Sequence, residues 1–303
     1  MSLVERALKK IQEAGATPPA TGPAPIVTGS SAAAAPGAPQ AGPTAPVAAT
    51  VTRSSKVALI DREALRAAEL LPAPTEERRL AHQYRQIKRP LIANAFGRGV
   101  KQLPNGRAIL VASALPGDGK TFTAINLSLS LAIEKDISVL LVDADVAKVH
   151  LSRMLGVGGE PGLLDVLRDD KLDVESVVLR TDVPGLEVLP AGRGSDNATE
   201  LLASSRMEAI VAQLTARDPN RIVLFDSPPL LLTSESRVLC SISGQVVLVV
   251  SASSTPQQAV LDAITHIGSN PYIGLVLNRS AEEGSDNYYQ YYGHREDAGQ
   301  TPP

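Results

Sequence analysis

The residues best suited to chemistry sit near the middle of the chain. The apolar run Ile109-Leu110-Val111-Ala112 leads into Ala114-Leu115-Pro116-Gly117-Asp118-Gly119-Lys120-Thr121, and an apolar-periodic stretch follows. A strand, a glycine-rich turn closing on Gly-Lys-Thr and a helix make a phosphate-binding loop, G-x-x-x-x-G-K-[ST]. Gly117 and Gly119 let backbone N–H groups close around phosphate oxygens, and the helix N-terminus adds its positive end. Lys120 supplies a point charge for the β- and γ-phosphates, and the Thr121 hydroxyl is a ligand for Mg²⁺. Ala114 replaces the first glycine of the template. The expected nucleotide-binding set is Pro116, Gly117, Asp118, Gly119, Lys120, Thr121 and Phe122, with ATP and Mg²⁺ as cofactors.

Two more apolar runs end in acids. Val139-Leu140-Leu141-Val142 runs into Asp143-Ala144-Asp145, and Ile222-Val223-Leu224-Phe225 runs into Asp226-Ser227-Pro228-Pro229. In a doubly wound sheet the carboxyl ends of the strands face the ligand crevice. Asp143, Asp145 and Asp226 are therefore expected to converge on a metal beside Lys120. Magnesium takes hard oxygen ligands, directly or through water, and the expected set is Thr121, Asp143 and Asp226. Taken singly, each aspartate also fits a turn or a helix cap.

The chain has six tyrosines, and Tyr288, Tyr289, Tyr291 and Tyr292 fall within five residues, among Glu282, Glu283, Asp286, Asn287 and Gln290. Aromatic side chains usually bury large areas, yet this segment has no other apolar support. The four hydroxyls are expected phosphoryl acceptors. Each phosphate would add roughly −1.5 to −2 charges, enough for clustered phosphates to repel one another and their acidic neighbours. A sticky interaction segment is the plainer alternative.

The elements that must position these residues follow from the apolar pattern. Strands are expected at about 107–114, 138–144, 186–190, 221–226, 244–251 and 272–278, alternating with helices at about 119–134, 198–216 and 255–269. Continuous apolar strands imply a sheet covered on both faces. Strand–helix alternation implies a doubly wound, mostly parallel α/β sheet. Upstream, 57–71 reads as a short strand and helix, and 75–94 as a charged helix running into Pro90. Residues 1–14 read as an amphipathic helix with Leu3, Val4, Ala7, Leu8 and Ile11 on one face. Residues 15–52, rich in Ala, Pro, Gly and Thr, cannot bury enough apolar surface to offset ordering and read as a disordered tether. The P-loop body is expected at 53–280, and 281–303 reads as a flexible tail.

Composition narrows the function. A net charge of −3 over 303 residues gives no basic domain of the kind that holds nucleic acid. The single cysteine, Cys240, lies in an apolar stretch and excludes an internal disulfide, which suits a reducing cytosol. No apolar run approaches the roughly 20 residues that cross a bilayer, and the N-terminus lacks the apolar core of a secretory signal. The expectation is a cytoplasmic protein, peripheral to the inner membrane through a partner.

These parts together resemble the bacterial tyrosine kinases, P-loop proteins unrelated in fold to the eukaryotic kinases. The resemblance covers about 75–292 and rests on Ala114–Thr121, Leu140–Asp145, Leu224–Pro229 and Tyr288–Tyr292. The opening Ser2-Leu3-Val4-Glu5-Arg6-Ala7-Leu8 and Tyr84–Leu91 look like the autokinase subgroup tied to exosortase-associated exopolysaccharide clusters. The resemblance implies an ATP- and Mg²⁺-dependent protein-tyrosine autokinase of the P-loop fold shared with partitioning ATPases, phosphorylating the tail of a neighbouring subunit. It implies a homo-oligomer, as a ring, working with a membrane-embedded chain-length determinant that activates it and opposed by a tyrosine phosphatase, in the regulation of exopolysaccharide synthesis and export. Carried over by position, Lys120, Asp143 and Asp145 are catalytic, one of the two aspartates orienting or deprotonating the attacking hydroxyl. Two positions depart from the family pattern. Ala147 stands where many members have Arg, and His82-Gln83-Tyr84-Arg85-Gln86-Ile87-Lys88 carries His where the subunit-contact motif has Glu. Both bear on ring assembly.

Two rival readings remain at this stage. A partitioning or cell-division-site ATPase, a nucleotide-switched dimer, usually carries a second lysine where this chain has Leu115, and it gives the tyrosines no role. An adaptor that binds nucleotide without turnover would also tolerate Ala147.

Overall fold

Eight strands of one sheet take the order β1-β4-β5-β3-β6-β2-β7-β8. They are β1 (Val57–Ala58), β2 (Ala108–Ser113), β3 (Ser138–Asp143), β4 (Leu179–Thr181), β5 (Leu186–Leu189), β6 (Arg221–Asp226), β7 (Gln245–Ser251) and β8 (Ile273–Asn278). The computed structural model describes residues 56–194, 197–270 and 272–280, all within the unit Arg53–Pro303. The segments 1–14, 15–52 and 281–303, with Tyr288, Tyr289, Tyr291 and Tyr292, lie outside the described residues. Six strands, β5-β3-β6-β2-β7-β8, run parallel, whereas β4 pairs antiparallel with β5. The expected fold, a mostly parallel, doubly wound α/β sheet of P-loop type, is the one found.

Side chains alternate across a strand, so a sheet buried on both faces must feed two cores. In β2, Ala108, Leu110 and Ala112 join one buried cluster, and Ile109 and Val111 join another. In β6, Val223 and Phe225 go with the first, Ile222 and Leu224 with the second. The helices divide accordingly. On the second face lie α1 (Arg62–Ala67), α2 (Glu77–Phe96), α3 (Lys120–Ala132) and α4 (His150–Met154). On the first lie α5 (Leu163–Arg168), α6 (Val174–Val177), α7 (Ala198–Leu202), α8 (Ser205–Arg217), α9 (Glu235–Ile242) and α10 (Gln257–Ile267). Cys240 is a core residue on α9, where burial pushes its thiol up to about 12.

The expected strands are all present, within one or two residues at their ends. Two helices differ. The helix expected at 75–94 runs through Pro90 to Phe96 and ends on Gly97 at φ 67°. An interior proline costs about 3 kcal/mol, but the turn that contains it buries Leu91, Ile92 and Ala95. Two large aliphatic side chains regain about 1.5–3 kcal/mol each, so packing wins. The helix expected at 198–216 is broken at Ala203 and Ser204 into α7 and α8, the Ser204 backbone being extended. The break lets Leu202 and Met207, both fully buried, enter the same core. The short elements α4, α5, α6 and β4 carry too few residues for a periodic signal.

At the amino ends of the strands, away from the phosphate loop, Arg221 bridges Glu175 and Glu187. Arg221 and Glu175 are each 1% exposed. On α2, Lys88 is buried and donates to the Ser130 carbonyl on α3 at 2.5 Å, with Glu134 at 2.8 Å. His82, elsewhere on that helix, is exposed beside Gln86.

Candidate functional site

Three parallel neighbours, β3, β6 and β2, end together and build the site. Asp143 and Asp226 stand directly opposite each other in the β3–β6 ladder, and Val111 of β2 is in register with Asp226. Adjacent strands lie about 4.8 Å apart, so the two carboxyls are forced into proximity by register. From the end of β2 the chain turns through 114–119 into α3. Gly117 and Gly119 take φ 85° and 96°, left-handed values that L side chains rarely tolerate. Gly119 caps α3, whose first-turn amides at Lys120, Thr121 and Phe122 have no intrahelical acceptor.

The candidate side chains meet here. Thr121 Oγ1 donates to Asp226 Oδ2 at 2.8 Å. Lys120 Nζ lies 3.8 Å from Asp145 Oδ2. Asp143 Oδ2 accepts from the Ser152 amide at 2.8 Å and from its hydroxyl at 2.6 Å. Burial pushes the Asp226 carboxyl up to about 7, against the opposing pull of Lys120 and with a further push from Asp143. Asp143 is also raised, first by burial and then by Asp145, while its bonds to Ser152 work the other way.

The expected trio of acids around one ion is modified. Among the described residues no group of three or more His, Cys, Asp or Glu side chains is arranged to hold a metal. Asp145 faces Lys120, while Asp143 and Asp226 share the strand ends with Thr121. Two buried carboxylate oxygens, Asp143 Oδ1 and Asp226 Oδ1, have no hydrogen-bond partner. A buried charged oxygen left unpaired is costly, and a divalent cation would satisfy both. Two carboxylates and a hydroxyl fit Mg²⁺, which keeps waters and substrate oxygens in its shell rather than an all-protein cage.

Two members of the expected nucleotide set play other parts with their side chains. Asp118 is buried, with Oδ2 accepting from Leu115 N at 3.0 Å and Oδ1 accepting from Thr255 Oγ1 at 2.6 Å. Its carboxylate braces the loop, leaving only its N–H to offer a ligand. The Phe122 ring packs on the second core and lines a groove of about 650 Å³ between α2 and β8, together with Leu80, Tyr84 and Tyr272. That groove excludes Lys120 and the three aspartates. Pro116 and Gly117 are exposed. Ala147 and Lys148 are exposed just beyond Asp145.

Sequence reasoning missed Ser152, Thr255 and Asn278. Asn278 Nδ2 donates to the Asp118 carbonyl at 2.9 Å. Its signal was present: like Asp143 and Asp226 it is the polar residue closing an apolar parallel strand. Ser152, on the five-residue α4, and Thr255, in the β7–α10 connection, carried no pattern.

Known proteins resemble this chain in sequence and fold. The AAA domain family matches residues 106–269. EpsB of Ralstonia nicotianae, named as a tyrosine-protein kinase, is 33% identical over 190 residues, covering 62% of this chain and 24% of EpsB. The chain thus spans about a quarter of that relative's length. The tyrosine-protein kinase YwqD of Bacillus subtilis is 29% identical over 224 residues, 73% of this chain and 90% of YwqD. The crystal structure of the VpsO kinase domain superposes with a TM-score of 0.56 at 28% identity, covering 69% of this chain and 100% of that domain. Among the described residues no helix is long and apolar enough to cross a membrane.

Proposed function

The chain belongs to the AAA domain family, and from that membership and the site geometry we propose that it is an ATP-dependent protein-tyrosine autokinase acting on its own C-terminal tyrosines. One observation carries the reading: Lys120 and Thr121 open α3 beside two buried carboxylates that each keep one unpaired oxygen. A lysine, a hydroxyl and paired acids are the parts that metal-assisted phosphoryl transfer uses. Relatives over this stretch bear the name tyrosine-protein kinase, and Tyr288, Tyr289, Tyr291 and Tyr292 supply acceptors on the same chain.

In this proposal the N–H groups of Gly117 to Phe122 and the Lys120 ammonium bind the phosphates. Thr121, Asp143 and Asp226 hold Mg²⁺, which when bound neutralises charge on the phosphate oxygens. Ser152 orients Asp143. The attacking tyrosine loses its proton to a carboxylate of the Asp143–Asp145 pair. Its oxygen bonds the γ-phosphorus as the bond to the bridging oxygen breaks, releasing ADP. Lys120, held near Asp145, is placed to stabilise the charge that develops between them.

The finer biology belongs to the same proposal. The body is 53–280, and 281–303 is a tail phosphorylated in trans within a homo-oligomer. Residues 1–14, joined through 15–52, bind a partner. The partner is a membrane-embedded chain-length determinant, so that the kinase is peripheral to the inner membrane and regulates exopolysaccharide synthesis, as in the exosortase-associated subgroup.

The test is incubation of the purified chain with Mg-ATP, followed by mass spectrometry of the C-terminal peptide. Phosphate on the tyrosine cluster that vanishes in Lys120→Ala supports the kinase. Steady ATP hydrolysis without phosphotyrosine identifies a switch ATPase instead, and binding with neither identifies an adaptor.

A further inference from the structure

We infer that Asn278 is a positioning residue of the phosphate loop, holding the Asp118–Gly119 peptide so that the Gly119 N–H faces the phosphates; this rests on the nucleotide-binding reading above. Asn278 closes β8, and its backbone is fixed by the β7–β8 ladder opposite Ser251 and by Ala252 N, which donates to its carbonyl at 2.8 Å. Its amide orientation is determined by its neighbours. Oδ1 accepts from Arg279 N at 2.9 Å, so Nδ2 must be the atom that donates to the Asp118 carbonyl.

The contact is close. A Cβ on Gly119 would lie 2.0 Å from Asn278 Nδ2, so the amide packs directly against the glycine. All peptide bonds of the described residues are trans. In a trans peptide the C=O and N–H point in opposite directions. Pinning the Asp118 carbonyl toward Asn278 therefore turns the Gly119 N–H to the other side of the loop. Asp118 is gripped again through its carboxylate, by Thr255 from the β7–α10 connection and by Leu115 from the loop itself. Thr255 is in turn held by Ser251 N, which donates to its hydroxyl at 3.0 Å. Three separate segments thus fix one peptide before any ligand arrives. Affinity gained this way comes from ordering already done in the free protein.

The experiment uses the full chain with Asn278→Asp, an isostere that swaps the donor for an acceptor, and Asn278→Ala. Titration calorimetry with Mg-ATP and with Mg-ADP reads the dissociation constant and the number of sites, and a melting curve accompanies each variant. We expect Kd for both nucleotides to rise about tenfold in Asn278→Ala, the size of one lost hydrogen bond, and further in Asn278→Asp, with the number of sites unchanged. In the tyrosine assay KM for ATP should rise with kcat within about threefold of the parent. Should Asn278→Asp not fold, Asn278→Ser removes the amide without adding charge and carries the same expectation. Kd within twofold of the parent overturns the inference, as does a fall in the number of sites at unchanged Kd, which marks a purely structural role. Lys120→Ala is measured alongside. If it also binds ATP normally, the nucleotide site itself is misplaced; if it loses binding while the Asn278 variants keep it, only the role of Asn278 falls.

Discussion

Thr121 and Asp226 are 105 positions apart in the chain, yet the threonine hydroxyl donates to the carboxylate at 2.8 Å. That bond satisfies one oxygen of Asp226 and leaves the other, Oδ1, unpaired in the interior. The carboxyl is raised to about 7 because burial outweighs the pull of Lys120. A carboxyl raised on folding holds its proton longer in the folded state than in the unfolded chain. Its contribution to metal-free stability is therefore fully present below about pH 4, the ordinary carboxylate range, and is lost as pH rises to about 7. Asp226→Asn should lack this slope and gain stability relative to the parent above pH 7. Urea unfolding between pH 4 and 8 without divalent ions checks it, and parallel curves for the two proteins would contradict it. By the same linkage, Mg²⁺ binding should strengthen as pH rises through about 7, because the ion needs the ionised form.

Lys120 is 11% exposed and lies 3.8 Å from Asp145, so its charge is only partly screened. Lys120→Ala should weaken ATP binding by about 10- to 100-fold, the range for a lost hydrogen bond to a charged group. Tail phosphorylation should disappear with it. Calorimetry and mass spectrometry read the two effects separately.

The two loop glycines should differ. Both have positive φ, so an alanine at either costs about 1–2 kcal/mol in backbone strain. A Cβ at Gly117 meets nothing within 4 Å, whereas one at Gly119 overlaps the Asn278 amide at 2.0 Å. Gly119→Ala should therefore cost about 1–3 kcal/mol more than Gly117→Ala, the usual range for overpacking. Thermal unfolding of the pair decides it, and equal losses would count against the contact with Asn278.

Arg221 and Glu175 are a test of stability separated from chemistry. Removing one member of a buried ion pair leaves the other charge uncompensated, at about 3–5 kcal/mol. Arg221→Met should therefore unfold at markedly lower denaturant. Arg221 begins β6 and Asp226 ends it, so nucleotide affinity of the folded fraction should hold within about twofold.

Much of the molecule is legible in the residues themselves. Runs such as Val139–Val142 and Ile222–Phe225 have no polar face, which suits strands covered on both sides. The glycines, Lys120 and Thr121 declare a phosphate loop because few other residues can take those φ values or supply that charge and hydroxyl at that spacing. The ends of β3 and β6 announce Asp143 and Asp226. The helix read at 75–94 already contains Pro90, but its continuation to Phe96 was not legible, since a local preference of about 3 kcal/mol says nothing of the core that the same turn fills with Leu91, Ile92 and Ala95.

The sequence alone determined the strand–helix alternation, the phosphate loop and the acids at the strand ends, since each rests on local pattern: period, conformational freedom and chemical type over a few neighbouring residues. Only the tertiary structure decided that Asp145 faces Lys120, that Asp118 turns inward, that Ser152 bonds Asp143, and that Thr255 and Asn278 bond Asp118. Those relations join segments 9 to 160 residues apart, and strand order and register, not spacing along the chain, bring them within hydrogen-bonding distance.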